Sequence, residues 1–148
     1  MADGTFTAST LKESHRQAGI AARETAYAEF LSSHRQFRRF IQTEPVKVTL
    51  VERPGKLPVP VIERSASYWE AAESTGARLE TLAGERVPRD IWHGVIRAFD
   101  DVARARASCG PGEVPDEIIL RCQAAEKTFA DAARQDLIKS GAASKSDA

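Results

Sequence analysis

Residues 19–42 read GIAARETAYAEFLSSHRQFRRFIQ, and the spacing of their large apolar side chains decides the fold. Ile20, Tyr27, Phe30, Phe37 and Ile41 follow one another at steps of seven, three, seven and four. That is the seam of a heptad, with His34 filling the seam position that no apolar residue takes. The stretch reads as one long amphipathic helix, expected over residues 11–42. Arg35, Arg38 and Arg39 cluster beside the end of the seam, so an aromatic-lined helix terminates in positive charge. Both features are candidate docking surfaces.

Working back towards the N-terminus, residues 1–10 (MADGTFTAST) are small and polar and are expected to fray. Residues 11–18 can add two helical turns, although Gly19 costs about 1 kcal/mol inside a helix. A continuous helix from residue 10 to 42 would be roughly 50 Å long at 1.5 Å per residue. A globule of this size has a radius of gyration of only about 15 Å. Such a helix projects unless it breaks near Gly19 or lies on a partner. The tetrapeptide Ser-His-Arg-Gln occurs at 14–17 and again at 33–36, with no further match around the copies.

Working forward, Glu44-Pro45 ends the helix because a residue before proline is pushed out of the α region. Residues 46–51, VKVTLV, alternate apolar and polar as a half-buried strand does. Arg53-Pro54-Gly55-Lys56 carries proline and glycine at the central positions of a type II turn. In the following LPVPVIE the two prolines, Pro58 and Pro60, share one parity, which an edge strand tolerates and a central strand does not. A hairpin is expected over 45–64, its second strand at an edge, with an extended arm as the alternative. Ser67 and Glu70 have capping-box spacing, opening a second helix over 67–84 that stripes Trp69, Ala72, Gly76, Leu79 and Ala83. Pro88 sits where a first-turn proline belongs and opens a third helix, 88–108, whose apolar face is Ile91, Trp92, Val95, Ile96, Phe99, Val102 and Ala103. A fourth, 114–139, buries Ile118, Ile119, Cys122, Ala125, Phe129, Ala132, Ala133 and Leu137. Residues 140–148 read as a disordered tail. The expectation is a single mainly α domain over residues 1–148: four helices with one β-hairpin inserted after the first long helix.

Composition narrows the function classes. Hydrophobic residues make up 42% and charged residues 28% of 148 residues, the balance of an ordinary globular domain. Net charge is zero, yet residues 1–56 hold nine Lys/Arg against six acids while the remainder holds twelve against fifteen. The two halves therefore attract each other, or the first half meets an anionic partner. Cys109 and Cys122 have no CxxC spacing and are read as small buried apolar groups. With no run of the roughly 18 apolar residues a membrane span needs, and no signal-peptide core, a cytoplasmic location without membrane contact is expected.

Catalysis finds little support. His15, His34 and His93 are far apart, and a di-iron bundle would need two Glu-x-x-His pairs where Asp90-Ile91-Trp92-His93 is the nearest approach. His93 lies about four helical turns from Cys109, too far for a Cys–His dyad along one helix. Asp100 and Asp101 are adjacent and diverge by about 100° on a helix. Glycine-rich phosphate loops and nucleophile elbows do not occur. No enzyme activity, cofactor or metal is expected.

Arg35, Arg38, Arg39, Lys47, Arg53 and Lys56 face only Glu44 and Glu52, a local +4 over residues 35–56. Arg38 and Lys47 suit phosphates, and Lys56 at a hairpin tip is placed as a wing would use it. The same cations also stabilise a helix C-terminus with no ligand. Further on, Tyr68, Ala72, Ala77-Arg78-Leu79-Glu80 and Gly84-Glu85-Arg86-Val87-Pro88-Arg89-Asp90 resemble a pattern in some phage terminase small subunits. There a helix ends in a Gly-Glu-x-Val-Pro step before a long oligomerising helix. The resemblance covers residues 68–90, and the N-terminal DNA-binding motif of that group is absent. It implies an oligomer that binds nucleic acid.

The leading expectation is a nonenzymatic assembly or adaptor protein. Ile20, Tyr27, Phe30, His34, Phe37 and Ile41 would meet a partner or a second copy, and the hairpin edge would add to another sheet. This rests on the last three helices closing a core among themselves. The alternatives are a nucleic-acid-binding accessory subunit using the six basic residues, and a noncatalytic small subunit of an enzyme complex.

Overall fold

A computed structural model of the chain describes residues 3–146, with side chains from 8 to 141. The order is α1 (Asp3–Thr43), β1 (Val48–Arg53), β2 (Lys56–Ile62), α2 (Ala66–Ala83), α3 (Arg89–Arg106) and α4 (Asp116–Ser146). The fold is mainly α, with the antiparallel hairpin directly after the first long helix. Among the described residues no helix is long and apolar enough to cross a membrane.

Both outer helices are longer than their hydrophobic patterns require. α1 runs unbroken through Gly19 and takes in residues 3–10, where fraying was expected; α4 continues through residues 140–146 of the expected tail. Residues 1, 2, 147 and 148 lie outside the described ones. At about 1.5 Å per residue α1 reaches some 60 Å. Its first half is supported by the end of α4, where the Arg16 guanidinium donates to the Ser140 carbonyl at 3.0 Å.

Two buried clusters share α1 as their wall. One joins Phe37 and Ile41 to the hairpin (Val46, Val48, Ile62) and to Phe99 and Val102 of α3. The other joins Tyr27 and Phe30 to Leu79 of α2, Trp92 and Val95 of α3, and Phe129 of α4. Large aromatics bring the greatest apolar area per residue, so α1 is the organising element of the core.

The turn is made as its sequence indicates, with Gly55 in the left-handed region at φ 69°. Register pairs Val48 with Ile62, Thr49 with Val61, Leu50 with Pro60 and Val51 with Val59, and slips by one between Val51 and Arg53. The second helix begins earlier than expected, at Ala66. Ser65 holds the cap position, but its Oγ donates back to the Ile62 carbonyl at 2.6 Å, closing the β2–α2 corner. At the far end of α1, Arg106 of α3 donates to the carbonyls of Ile41, Glu44 and Val46, satisfying acceptors that the helix end leaves open.

Candidate functional site

The heptad seam is real but occupied. Tyr27, Phe30, Phe37 and Ile41 are buried in the chain's own core, and Ile20 is half-buried. Helices α2 to α4 do not close a core without α1, because their apolar faces converge on its aromatics. Phe30 touches His34, Trp92 and Phe129, and Phe37 touches Tyr68, Trp69 and Phe99. The expectation that this seam is free for a partner is therefore corrected, since its surface is already removed from water.

The basic cluster divides. Arg38 is buried and grips Glu126 of α4 with two bonds, Nε to Oε2 at 2.9 Å and Nη2 to Oε1 at 3.0 Å. Arg35 adds a third at 3.3 Å. Bidentate pairing of this kind is the strong form of the ion pair, and it turns two presumed phosphate ligands into an α1–α4 clamp. Arg53 bends onto the Leu57 carbonyl at the hairpin tip. Arg39, Lys47 and Lys56 are exposed and carry no ion pair among the described residues.

A second clamp lies a few turns away. Asp136 receives the Tyr27 hydroxyl at 2.6 Å and Arg23 Nε at 3.1 Å, with Arg86 at 3.6 Å. Burial and the neighbouring carboxylate raise the Tyr27 pKa, so the phenol stays protonated and donates. Burial and the charge of Glu126 likewise push the Cys122 thiol up to about 12, leaving it unreactive at neutral pH. These carboxylates have no sequence spacing that announces them; only the helix pairing selects them. Among the described residues, no group of three or more His, Cys, Asp or Glu is placed to hold a metal ion.

What remains available is the hairpin and a cleft between α2 and α3. On the hairpin, Val48, Pro60 and Ile62 face the core, while Val51 (46% exposed) and Val61 (53%) face solvent and Leu57 at the tip is 72% exposed. Glu63 N–H donates to the Lys47 carbonyl, so odd-numbered residues form the inner ladder and even-numbered ones turn their backbone groups to the edges. On the β2 edge those positions include Pro58 and Pro60, which have no N–H, and the carbonyls of Pro58 and Ile62 are taken by Arg104 and by the Ser65 hydroxyl. On the β1 edge they are Val48 and Leu50, and no group outside the hairpin bonds to their backbone among the described residues. One edge is closed and the other open.

The cleft was not foreseen. The stripe on α2 is buried only at Leu79 and Ala83; Trp69, Ala72 and Gly76 are half-buried, and Ile96 on α3 is exposed. Together they border a cavity of about 350 Å³. The signal was in the sequence, since Ala72, Gly76 and Ala77 are too small to bridge two helices.

No protein-family model, curated protein or solved structure matches the chain.

Proposed function

We propose that the protein is a nonenzymatic assembly or adaptor protein whose contact element is the hairpin rather than the first helix. The observation that carries this is the asymmetry of the two edges. Unpaired strand edges template pairing with another strand, and natural sheets block the edges they do not use with proline and charge. β2 is blocked by Pro58 and Pro60; β1 is not, and the outer face of the hairpin carries the exposed aliphatics Val51 and Val61. The occupant we favour is the β1 strand of a second copy, which makes an antiparallel pair about a two-fold axis and a four-stranded sheet.

Light scattering on the full chain at tens of micromolar tests this directly. A mass above that of one chain is expected, falling to one chain in Leu50→Pro. That substitution removes an outward N–H and leaves the inner ladder intact, which circular dichroism checks. A strict monomer, or an oligomer that ignores Leu50→Pro, sinks the reading. The nucleic-acid alternative draws on less charge than the sequence offered, because Arg35 and Arg38 are held by Glu126.

A further inference from the structure

The cleft between α2 and α3 is lined by His34, whose ring holds a buried acceptor without a partner among the described residues. His34 is only 5% exposed, and its Nδ1 lies 3.0 Å from the Phe30 carbonyl four residues back. A carbonyl only accepts, so Nδ1 carries the proton and Nε2 is left with a free lone pair. Nε2 makes no hydrogen bond among the described residues, although no fully buried side-chain nitrogen or oxygen lacks a partner. It therefore retains access to the cavity that His34 lines. Burial also lowers the His34 pKa, which keeps the ring neutral and accepting.

The surroundings specify what would satisfy that lone pair. Trp69, Trp92 and Phe99 form the walls, with Trp69 and Phe99 edge-to-face at 6.0 Å. Glu73 stands at the rim with no ion pair among the described residues, and Glu80 beside it is shared with Arg89. At Gly76 an added Cβ meets nothing within 4 Å, so the floor on the α2 side is open space. About 350 Å³ lies at the small end of ligand cavities, which span roughly 300–1,000 Å³. The neighbouring hollow towards the hairpin shares Trp69, Ile96 and Phe99 with the cleft and adds Leu57 alongside the charged Arg97, Asp100, Asp101 and Arg104.

We propose that this cleft binds a small aromatic amine whose ring carries a hydroxyl or N–H donor. The ring lies among the aromatic walls, the donor reaches His34 Nε2, and the ammonium faces Glu73 with the indole faces nearby. This site is independent of the hairpin and of its role in assembly.

The chain's two tryptophans both line the cleft, so their fluorescence reports on it. Tyramine is the probe, with excitation at the red edge of the tryptophan band, where its phenol does not absorb. A saturable change is expected. Phenethylamine, which lacks the hydroxyl, binds about tenfold more weakly for the loss of one hydrogen bond. Glu73→Gln weakens tyramine by about two- to fivefold, the range of an exposed ion pair. Gly76→Leu fills the cavity and abolishes binding while melting no lower than wild type, since leucine is the better helix former. The proposal is overturned by the absence of a saturable response at millimolar tyramine. Equal affinity for phenethylamine overturns it too, as does undiminished binding in Gly76→Leu. A cleft that takes a basic amphipathic peptide but not tyramine overturns it as well.

Discussion

The same four residues occur twice on α1 and meet opposite fates. Ser14-His15-Arg16-Gln17 lies on the half of the helix outside both buried clusters; Ser33-His34-Arg35-Gln36 lies where the clusters converge. Locally the copies behave alike, with Gln17 reaching back four residues to Glu13 at 2.9 Å and Gln36 reaching back to Ser32 at 3.0 Å. Beyond that they diverge. His15 is exposed while His34 is enclosed by Phe30 and Phe99, and Ser33 shares a hydrogen bond with Thr75 of α2. Both arginines reach α4, but Arg16 pairs its charge with Glu13 on its own helix and meets only the Ser140 carbonyl across the gap, whereas Arg35 pairs with the buried Glu126. Helical geometry is common to both copies; burial is conferred by neighbours the tetrapeptide does not encode.

The contrast can be broken at its strongest point by Glu126→Ala. That substitution leaves Arg38 buried and unpaired and is expected to cost about 3–5 kcal/mol in urea unfolding. Replacing the pair together, as Arg38→Met with Glu126→Leu, is expected to recover most of that loss, because the penalty lies in the orphaned charge. Phe30→Ala, at a fully buried ring, is expected to cost about 3–5 kcal/mol by the same measurement.

A smaller effect separates the two histidines by pH. The folded state lowers the His34 pKa by burial, against the pull of Glu126 from α4. Glu73 and Glu80 of α2 share its cleft, and α3 presents aromatic rings there. A histidine held neutral leaves stability intact above its unfolded pKa of about 6.5 and lowers it as pH falls towards the folded value. The slope is at most about 1.4 kcal/mol per pH unit for one proton. Thermal unfolding from about pH 7.5 to about pH 5.5 should show this slope in wild type and a shallower one in His34→Leu. His15→Ala, on the exposed copy, is expected to change stability by less than about 0.5 kcal/mol.

The smallest expected effects have the opposite sign. Gly19 and Gly76 both sit inside helices, and a Cβ at either meets no close neighbour. Alanine at each position should stabilise by about 0.5–1 kcal/mol, read as a rise in the denaturation midpoint. A loss at Gly19 would show that α1 is not continuous there.

Much of the architecture was legible beforehand. Four helices, the hairpin, its Pro54-Gly55 turn and the edge character of the proline-bearing strand follow from periodicity and turn chemistry. The candidate sites were less legible. An apolar seam looks the same whether it meets its own chain or another, so Phe30 and Phe37 read as docking residues and proved to be core. Arg38 looked like a ligand for phosphate because its partner, Glu126, lies 88 residues away in sequence. The small residues Ala72, Gly76 and Ala77 allow the cleft around His34, but its existence depends on where α2 and α3 fail to meet.

By itself the sequence determined which segments are helical or extended, where the internal turns fall and which residue types seek burial, because propensity, spacing and turn chemistry act over a few residues. Only the tertiary structure decided which apolar faces close on one another and which charges become internal clamps. It also decided which surfaces stay open, on the β1 edge and in the α2–α3 cleft. Those outcomes depend on the packing of elements distant in the chain, and burial free energy is a property of the assembled neighbours rather than of any stretch read alone.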